Sequence, residues 1–161
     1  MSRFDLPPRR LRRPSLLAVV VFLGFATTAG WSADIQWTGA ASDGKWSTPG
    51  NWWGVVVPGP SDNALFSTFV GSQTVIADGN PTVAGLTAGS GTSQVTLNVP
   101  SGSTFTLSGP GTVTGGSNIS LGGGIFKNTG TLTVSGGQLR LMNGVILNQG
   151  DVTLQNSAIV S

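Results

Sequence analysis

Residues 118–137 read NISLGGGIFKNTGTLTVSGG, and residues 138–157 read QLRLMNGVILNQGDVTLQNS. Set one above the other without gaps, they agree at five positions: Leu121/Leu141, Gly124/Gly144, Asn128/Asn148, Gly130/Gly150 and Thr133/Thr153. At five more an apolar residue replaces another: Ile119/Leu139, Ile125/Val145, Phe126/Ile146, Leu132/Val152 and Val134/Leu154. The tail AIVS starts a third copy, with Ile159 over Leu139. A fixed period near twenty residues is the sequence signature of a stacked repeat. Within each unit Leu132 and Val134 alternate with Thr131 and Thr133, so one strand face is apolar and the other polar. Ile119 with Leu121, and Leu139 with Leu141, alternate in the same way. Gly122-Gly123-Gly124, Gly136-Gly137 and Asn143-Gly144 mark corners, where positive φ is often needed.

One such unit cannot bury its own apolar face. Stacked units bury a continuous core, each adding about 4.8 Å along the axis. Like residues then lie above like: Thr133 over Thr153 predicts a hydroxyl row, and Asn128 over Asn148 a side-chain amide ladder. An antiparallel sandwich also alternates, but it does not require residue-for-residue register at twenty. Helix is disfavoured after the leader, where Gly and β-branched residues dominate without a 3.6-residue period. Upstream, Phe105, Leu107 and Val113 continue the rhythm less regularly, and Val83, Leu86, Val95, Leu97 and Val99 belong to earlier, irregular coils.

The first part of the 161-residue chain reads differently. Arg3, Arg9, Arg10, Arg12 and Arg13 precede an apolar run over residues 16–26, LLAVVVFLGFA. That run is shorter than the ~20 residues a membrane span needs, and it fits the apolar core of a secretory signal. Small residues follow, and cleavage is expected between Ala29 and Ala33, giving a signal peptide of residues 1–33. Five of the eight basic residues leave with it. Lys45, Lys127 and Arg140 then face Asp34, Asp43, Asp62, Asp78 and Asp151, a net charge of 3 − 5 = −2. The basic patch that phosphate binding requires is missing, which argues against a nucleic-acid partner. With no cysteine in the chain, export leaves stability to packing alone. There is also no His, Tyr or Glu, which removes the commonest general base and metal ligand.

Residues 34–80 form a Trp-rich head with Trp37, Trp46, Trp52 and Trp53, and residues 81–161 carry the repeats. The head reads W37-T-G-A-A-S-D-G-K-W46-S-T-P-G-N51-W52, then V57-P58-G-P-S-D62-N-A64-L-F66. With the repeat N-T-G-T-L-T-V-S-G-G from Asn128 to Gly137, it resembles the N-terminal passenger segment of bacterial secreted proteins with autotransporter-associated β-strand repeats. Haemagglutinin-like and PEP-sorted surface proteins are similar. The resemblance implies a right-handed parallel β-helix displayed outside the cell, normally followed by a translocating barrel or sorting tail. Neither is found before Ser161, so the chain is expected to be a truncated gene product or the leading part of a longer protein, with outer-membrane contact only through that missing anchor.

The expectation is thus an all-β parallel β-solenoid with rungs of about 20 residues and a Trp-rich N-terminal cap. Trp46, Trp52 and Trp53 admit two uses: flat faces for stacking on sugar rings, or a plug for the solenoid's open end. The plug is favoured, because solenoids need capping. Asp43-Gly44 and Asp62-Asn63 offer oxygens for Ca²⁺, but Asp beside Gly is more often a turn former and the calcium-loop spacings are absent, so no metal or cofactor is expected. Catalysis is not expected either. Four of the five Asp of the exported part precede residue 80, no paired-carboxylate pattern emerges, and a Ser-His-Asp set is impossible without His. The reading is a non-catalytic surface or extracellular structural protein, an adhesin-like fragment whose partners are cell-surface or matrix glycans, or its own open edge. A carbohydrate-binding module using the Trp head, and then a β-helix polysaccharide lyase or hydrolase, are the alternatives.

Overall fold

The computed structural model describes residues 32–67, 71–90 and 92–161. Most of the expected signal peptide, residues 1–31, lies outside the described residues. Among the described residues there is no α-helix, and every pairing between strands is parallel.

The chain winds as a three-sided coil. After β1 (Asp34–Gln36) the first coil comprises β2 (Asn63–Phe66), β3 (Gly71–Ile76) and β4 (Thr82–Val83). The second comprises β5 (Gly85–Ala88), β6 (Ser93–Pro100) and β7 (Thr104–Leu107). The third is β8 (Pro110–Thr114), β9 (Asn118–Gly122) and β10 (Ile125–Asn128), and the fourth β11 (Thr131–Ser135), β12 (Gln138–Arg140) and β13 (Val145–Asn148). β14 (Asp151–Gln155) and β15 (Ala158–Val160) begin a fifth. The three resulting sheets run β1-β2-β5-β8-β11-β14, β3-β6-β9-β12-β15 and β4-β7-β10-β13. They are the first, second and third faces of a prism.

The register of the quoted repeat is the one its identities predict. Ile125 pairs with Val145, Thr131 with Asp151 and Gln138 with Ala158, each an offset of 20. Toward the N-terminus the offset grows. It is 21 from Thr104 to Ile125, 22 from Gly71 to Ser93, 25 from Leu86 to Gly111 and 29 from Asp34 to Asn63. The extra residues enter at corners and in the longer β6, so strand pairing survives while the period is lost. Residues 34–80 therefore supply β1 to β3 to the same sheets as the later coils.

Columns of in-register apolar side chains fill the prism. Val75, Leu97, Ile119 and Leu139 stack along the second face, all 2% exposed or less. On the first face large and small residues alternate: Ala64 lies over Leu86, and Phe66 over Ala88. On the third, Phe105 and Phe126 are register partners whose rings stack at 5.6 Å and 5°. Each such residue taken out of water contributes roughly 1.5–3 kcal/mol.

Each of the three corners has its own chemistry. From first to second face the chain turns through a left-handed residue, Gly136 (φ 73°) in one coil and Asn156 (φ 49°) in the next. From second to third face the equivalent residues are Gly102, Gly123 and Asn143, with φ of 80°, 86° and 63°. Gly and Asn are the residues that tolerate this conformation. From third to first face, Gly109, Gly130 and Gly150 stack without positive φ. A Cβ on Gly130 would run into the Gly109 carbonyl, and one on Gly150 into the Gly130 carbonyl. The identity Gly130/Gly150 thus reflects close approach of successive coils and not a turn conformation.

The expected amide ladder is present. Asn128, fully buried, donates from Nδ2 to Asn148 Oδ1 at 2.8 Å and to the Asp151 carbonyl at 3.0 Å. Its Oδ1 has no hydrogen-bond partner, because its register neighbour on the preceding coil is Leu107, which offers no side-chain donor. The hydroxyl row extends further than the repeat foretold: Thr87, Thr112, Thr133 and Thr153 pair in sequence along the first face.

Candidate functional site

The head is the one part of the described chain with a concentration of aromatic side chains, and its packing decides which of them can meet a ligand. Residues 37–62 form an incomplete coil laid across the N-terminal end of the prism. The Trp37 N–H donates to the Leu65 carbonyl at 2.8 Å, continuing the first face beyond β1. Ile76 N–H donates to the Gly44 carbonyl, and Trp46 N–H to the Ile76 carbonyl, both at 2.8 Å, which covers the edge of β3. Edges of sheets are thereby paired that would otherwise expose backbone donors and acceptors.

The indoles of this coil point into the core. Trp37, Trp46 and Trp52 are 1%, 1% and 2% exposed. Trp37 and Trp46 meet Trp52 edge-on at centroid distances of 4.9 and 4.7 Å, and all three contact Phe66. Trp46 meets Phe105 at 5.3 Å and 81°, at the head of the Phe105–Phe126 stack. Trp37 Nε1 donates to Gln73 Oε1 at 2.7 Å and Trp52 Nε1 to the Trp46 carbonyl at 2.8 Å. Trp46 Nε1 is buried without a hydrogen-bond partner. The plug expected of Trp46, Trp52 and Trp53 is formed instead by Trp37, Trp46 and Trp52, with Trp53 left outside it. For sugar stacking the consequence is a correction: Trp46 and Trp52 offer no free ring face, because both are enclosed by other rings. Of the three tryptophans considered for that purpose, Trp53 alone is exposed, at 75%.

Asn51, fully buried, holds the cap's loops together, and sequence reasoning gave it no role. Its carbonyl accepts from Thr38 N–H at 2.7 Å and Gly39 N–H at 3.1 Å. Its Oδ1 accepts from Ala41 N–H at 3.0 Å, and its Nδ2 donates to Asp43 Oδ1 at 2.6 Å and the Lys45 carbonyl at 3.0 Å. Asp43 also accepts from Thr48 Oγ1 at 2.6 Å and Lys45 N–H at 3.0 Å. These bonds, that of Thr48 foremost, then those of Lys45 N–H and Asn51, lower its pKa from the ordinary 3.8 to about 2. Asp62 likewise accepts from Gly59 N–H at 2.9 Å and Ala33 N–H at 3.3 Å. The two carboxylates weighed as calcium ligands thus fasten turns. Among the described residues no group of three or more metal-ligating side chains comes together.

Beyond Trp52 the backbone does something unusual. Gly54 (φ 73°) is followed by Val55 (φ 60°), a β-branched residue in the left-handed region, where an L side chain costs roughly 1–2 kcal/mol. Trp53, Val55 and Val56 stand out from the surface at 75%, 67% and 54% exposure. The chain then enters a groove of about 390 Å³, walled by residues 57–60 on one side and 78–82 on the other, with Trp46 and Ser47 between them. Asp78 receives Ser47 N–H on Oδ1 at 2.9 Å and Ser47 Oγ on Oδ2 at 2.7 Å. Asn80 Oδ1 accepts from Thr104 N–H at 2.7 Å. The Pro/Gly/Asp clusters here, VPGPSD and DGNP, are turn-forming compositions, and nothing in their spacing announces that the two line one groove.

The opposite end of the prism offers a second cavity, about 480 Å³, lined by apolar side chains including Leu139, Ile146, Val152 and Ile159. Core positions of the last coils are uncovered there: Leu154 is 40% exposed and Ile159 is 53%, where their register partners Val134 and Leu139 are buried.

No protein-family model, no curated protein and no solved structure matches this chain.

Proposed function

We propose that this chain is an exported, non-catalytic structural module, a stiff β-coil held outside the cell in the manner of an autotransporter passenger. The observation that carries the reading is the register. The coils stack so that outward positions lie in register down a face, and Thr87, Thr112, Thr133 and Thr153 form one continuous row. Such a body presents an extended, in-register surface with one long row of threonine hydroxyls, which suits spacing and multivalent contact. The Arg-rich, apolar leader supports export, and the scattered Asp residues support a non-catalytic role.

The test is to tag the chain at its C-terminus, express it in a Gram-negative host, and find it by fractionation and by protease treatment of intact cells. The expected product lies outside the inner membrane and starts between Gly30 and Asp34 by mass spectrometry. A cytosolic chain with its leader intact would reject export. Release of reducing or unsaturated ends from pectin- or glucan-type polysaccharides by the purified protein would reject the non-catalytic reading.

A further inference from the structure

Trp53 and the groove whose wall begins four residues after it have features that the plug does not explain. Trp52 and Trp53 are consecutive, yet one is 2% and the other 75% exposed. The left-handed pair Gly54-Val55 follows directly, a conformation that the surrounding structure must enforce. The groove wall begins at Val57, so the chain can span at most about 14 Å between it and Trp53. Pro58, Pro60 and Pro81 stiffen the walls, so little order has to be imposed on binding.

The polar groups in the groove are unspent. Each Asp78 oxygen takes one bond from Ser47 and keeps a further lone-pair site. Asn80 Nδ2 and Thr82 Oγ1 make no hydrogen bond among the described residues. The groove thus holds a carboxylate acceptor, an amide donor and a hydroxyl that does both. No cation lines it, and Asp78 is its one charge, which disfavours an anionic ligand. Apolar side chains of a peptide would strip water from Asp78 and Asn80 and return no bond. Alternating C–H faces and hydroxyls answer both halves of the surface, and the volume lies within the ~300–1,000 Å³ of small-ligand clefts.

We propose that Trp53 and this groove form one binding surface for a neutral saccharide chain: Trp53 stacks on a sugar ring, while Asp78, Asn80 and Thr82 bond the hydroxyls of its neighbour. The proposal stands whether or not the chain is displayed as a passenger.

The experiment is isothermal titration of the full chain with cellohexaose, xylohexaose and chitohexaose, with oligogalacturonate as an acidic comparison. At least one neutral hexamer is expected to bind, and the acidic one to bind more weakly. Trp53→Ala should weaken binding about tenfold or more, a loss of ~1.4 kcal/mol, with an unchanged far-UV spectrum. Trp53→Phe, which keeps a ring face, should retain most of the affinity. Thr82→Val, nearly isosteric, should weaken it separately, and serves if the Ala variant misfolds. The proposal is overturned if no neutral hexamer binds, if the Trp53 and Thr82 variants bind as the parent does, or if oligogalacturonate binds as well. Trp53-dependent binding to phosphatidylcholine vesicles without any sugar binding would equally overturn it.

Discussion

Trp46 sits where the core would otherwise meet water, between Trp52, Phe66 and Phe105. Replacing it by Ala opens a cavity at the top of the aromatic column, and the expected loss is about 3–5 kcal/mol, read from urea denaturation. A loss below about 1 kcal/mol would mean that the plug is not part of the cooperative core. Asp43 makes a prediction about acid. Its folded pKa of about 2 lies below the ordinary 3.8, so the unfolded chain binds the proton more readily between these values. Its contribution is complete above about pH 3.8 and disappears as the pH falls through about 2. The Asp43→Asn protein should therefore lose less stability than the parent when the pH drops from about 4 to about 2. Urea midpoints followed by tryptophan fluorescence at several pH values check this, and equal slopes for the two proteins would refute it.

At the scale of strands and corners, the glycines separate into two kinds that should respond oppositely. Gly136 has open space around its Cβ position and a left-handed φ, and its counterpart one coil on is Asn156. Gly136→Asn should change stability by less than about 1 kcal/mol. Gly130 has an unremarkable φ but lies against the Gly109 backbone. Gly130→Ala must push two coils apart, with an expected cost of about 1–3 kcal/mol or more. A thermal melt of each variant decides, and a Gly130→Ala protein as stable as its parent would mean the coils are not in this contact. The corners also show what was legible in the sequence. Period, alternation and amide ladder were plain, because an offset of 20 makes equivalent residues align without gaps. The pairing of β1 to β4 was hidden, since offsets of 22 to 29 break that alignment. The Trp residues were legible as a plug, but not which of them would be left outside. Burial there is set by contacts with Phe66 and Phe105, distant in sequence, and by the turn at Gly54-Val55.

For the molecule as a whole, a stack of coils has local stability and no single keystone. β5 to β11 have a coil on either side, whereas β13, β14 and β15 are each paired along one edge. Hydrogen exchange should therefore be slowest in β5 to β11 and fastest in β13 to β15, with the capped end better protected than the uncapped one. Uniform protection along the axis would contradict this. The same apolar edge should associate at high concentration, and Ile159→Lys, which puts a charge on it, should lower the association seen by sedimentation velocity. The constant offset in the last coils also bears on how such a chain could lengthen. Any run of codons one offset long, 20 in all, taken between those for Asn118 and Ser157 encodes one full circuit, so a tandem copy restores the same joins wherever the break falls. Copying residues 128–147 inserts an extra Asn into the amide ladder, and the elongated protein should melt no lower than its parent. Growth by unequal recombination is then tolerant of phase, and each new copy is free to diverge at its corners while its strands keep step.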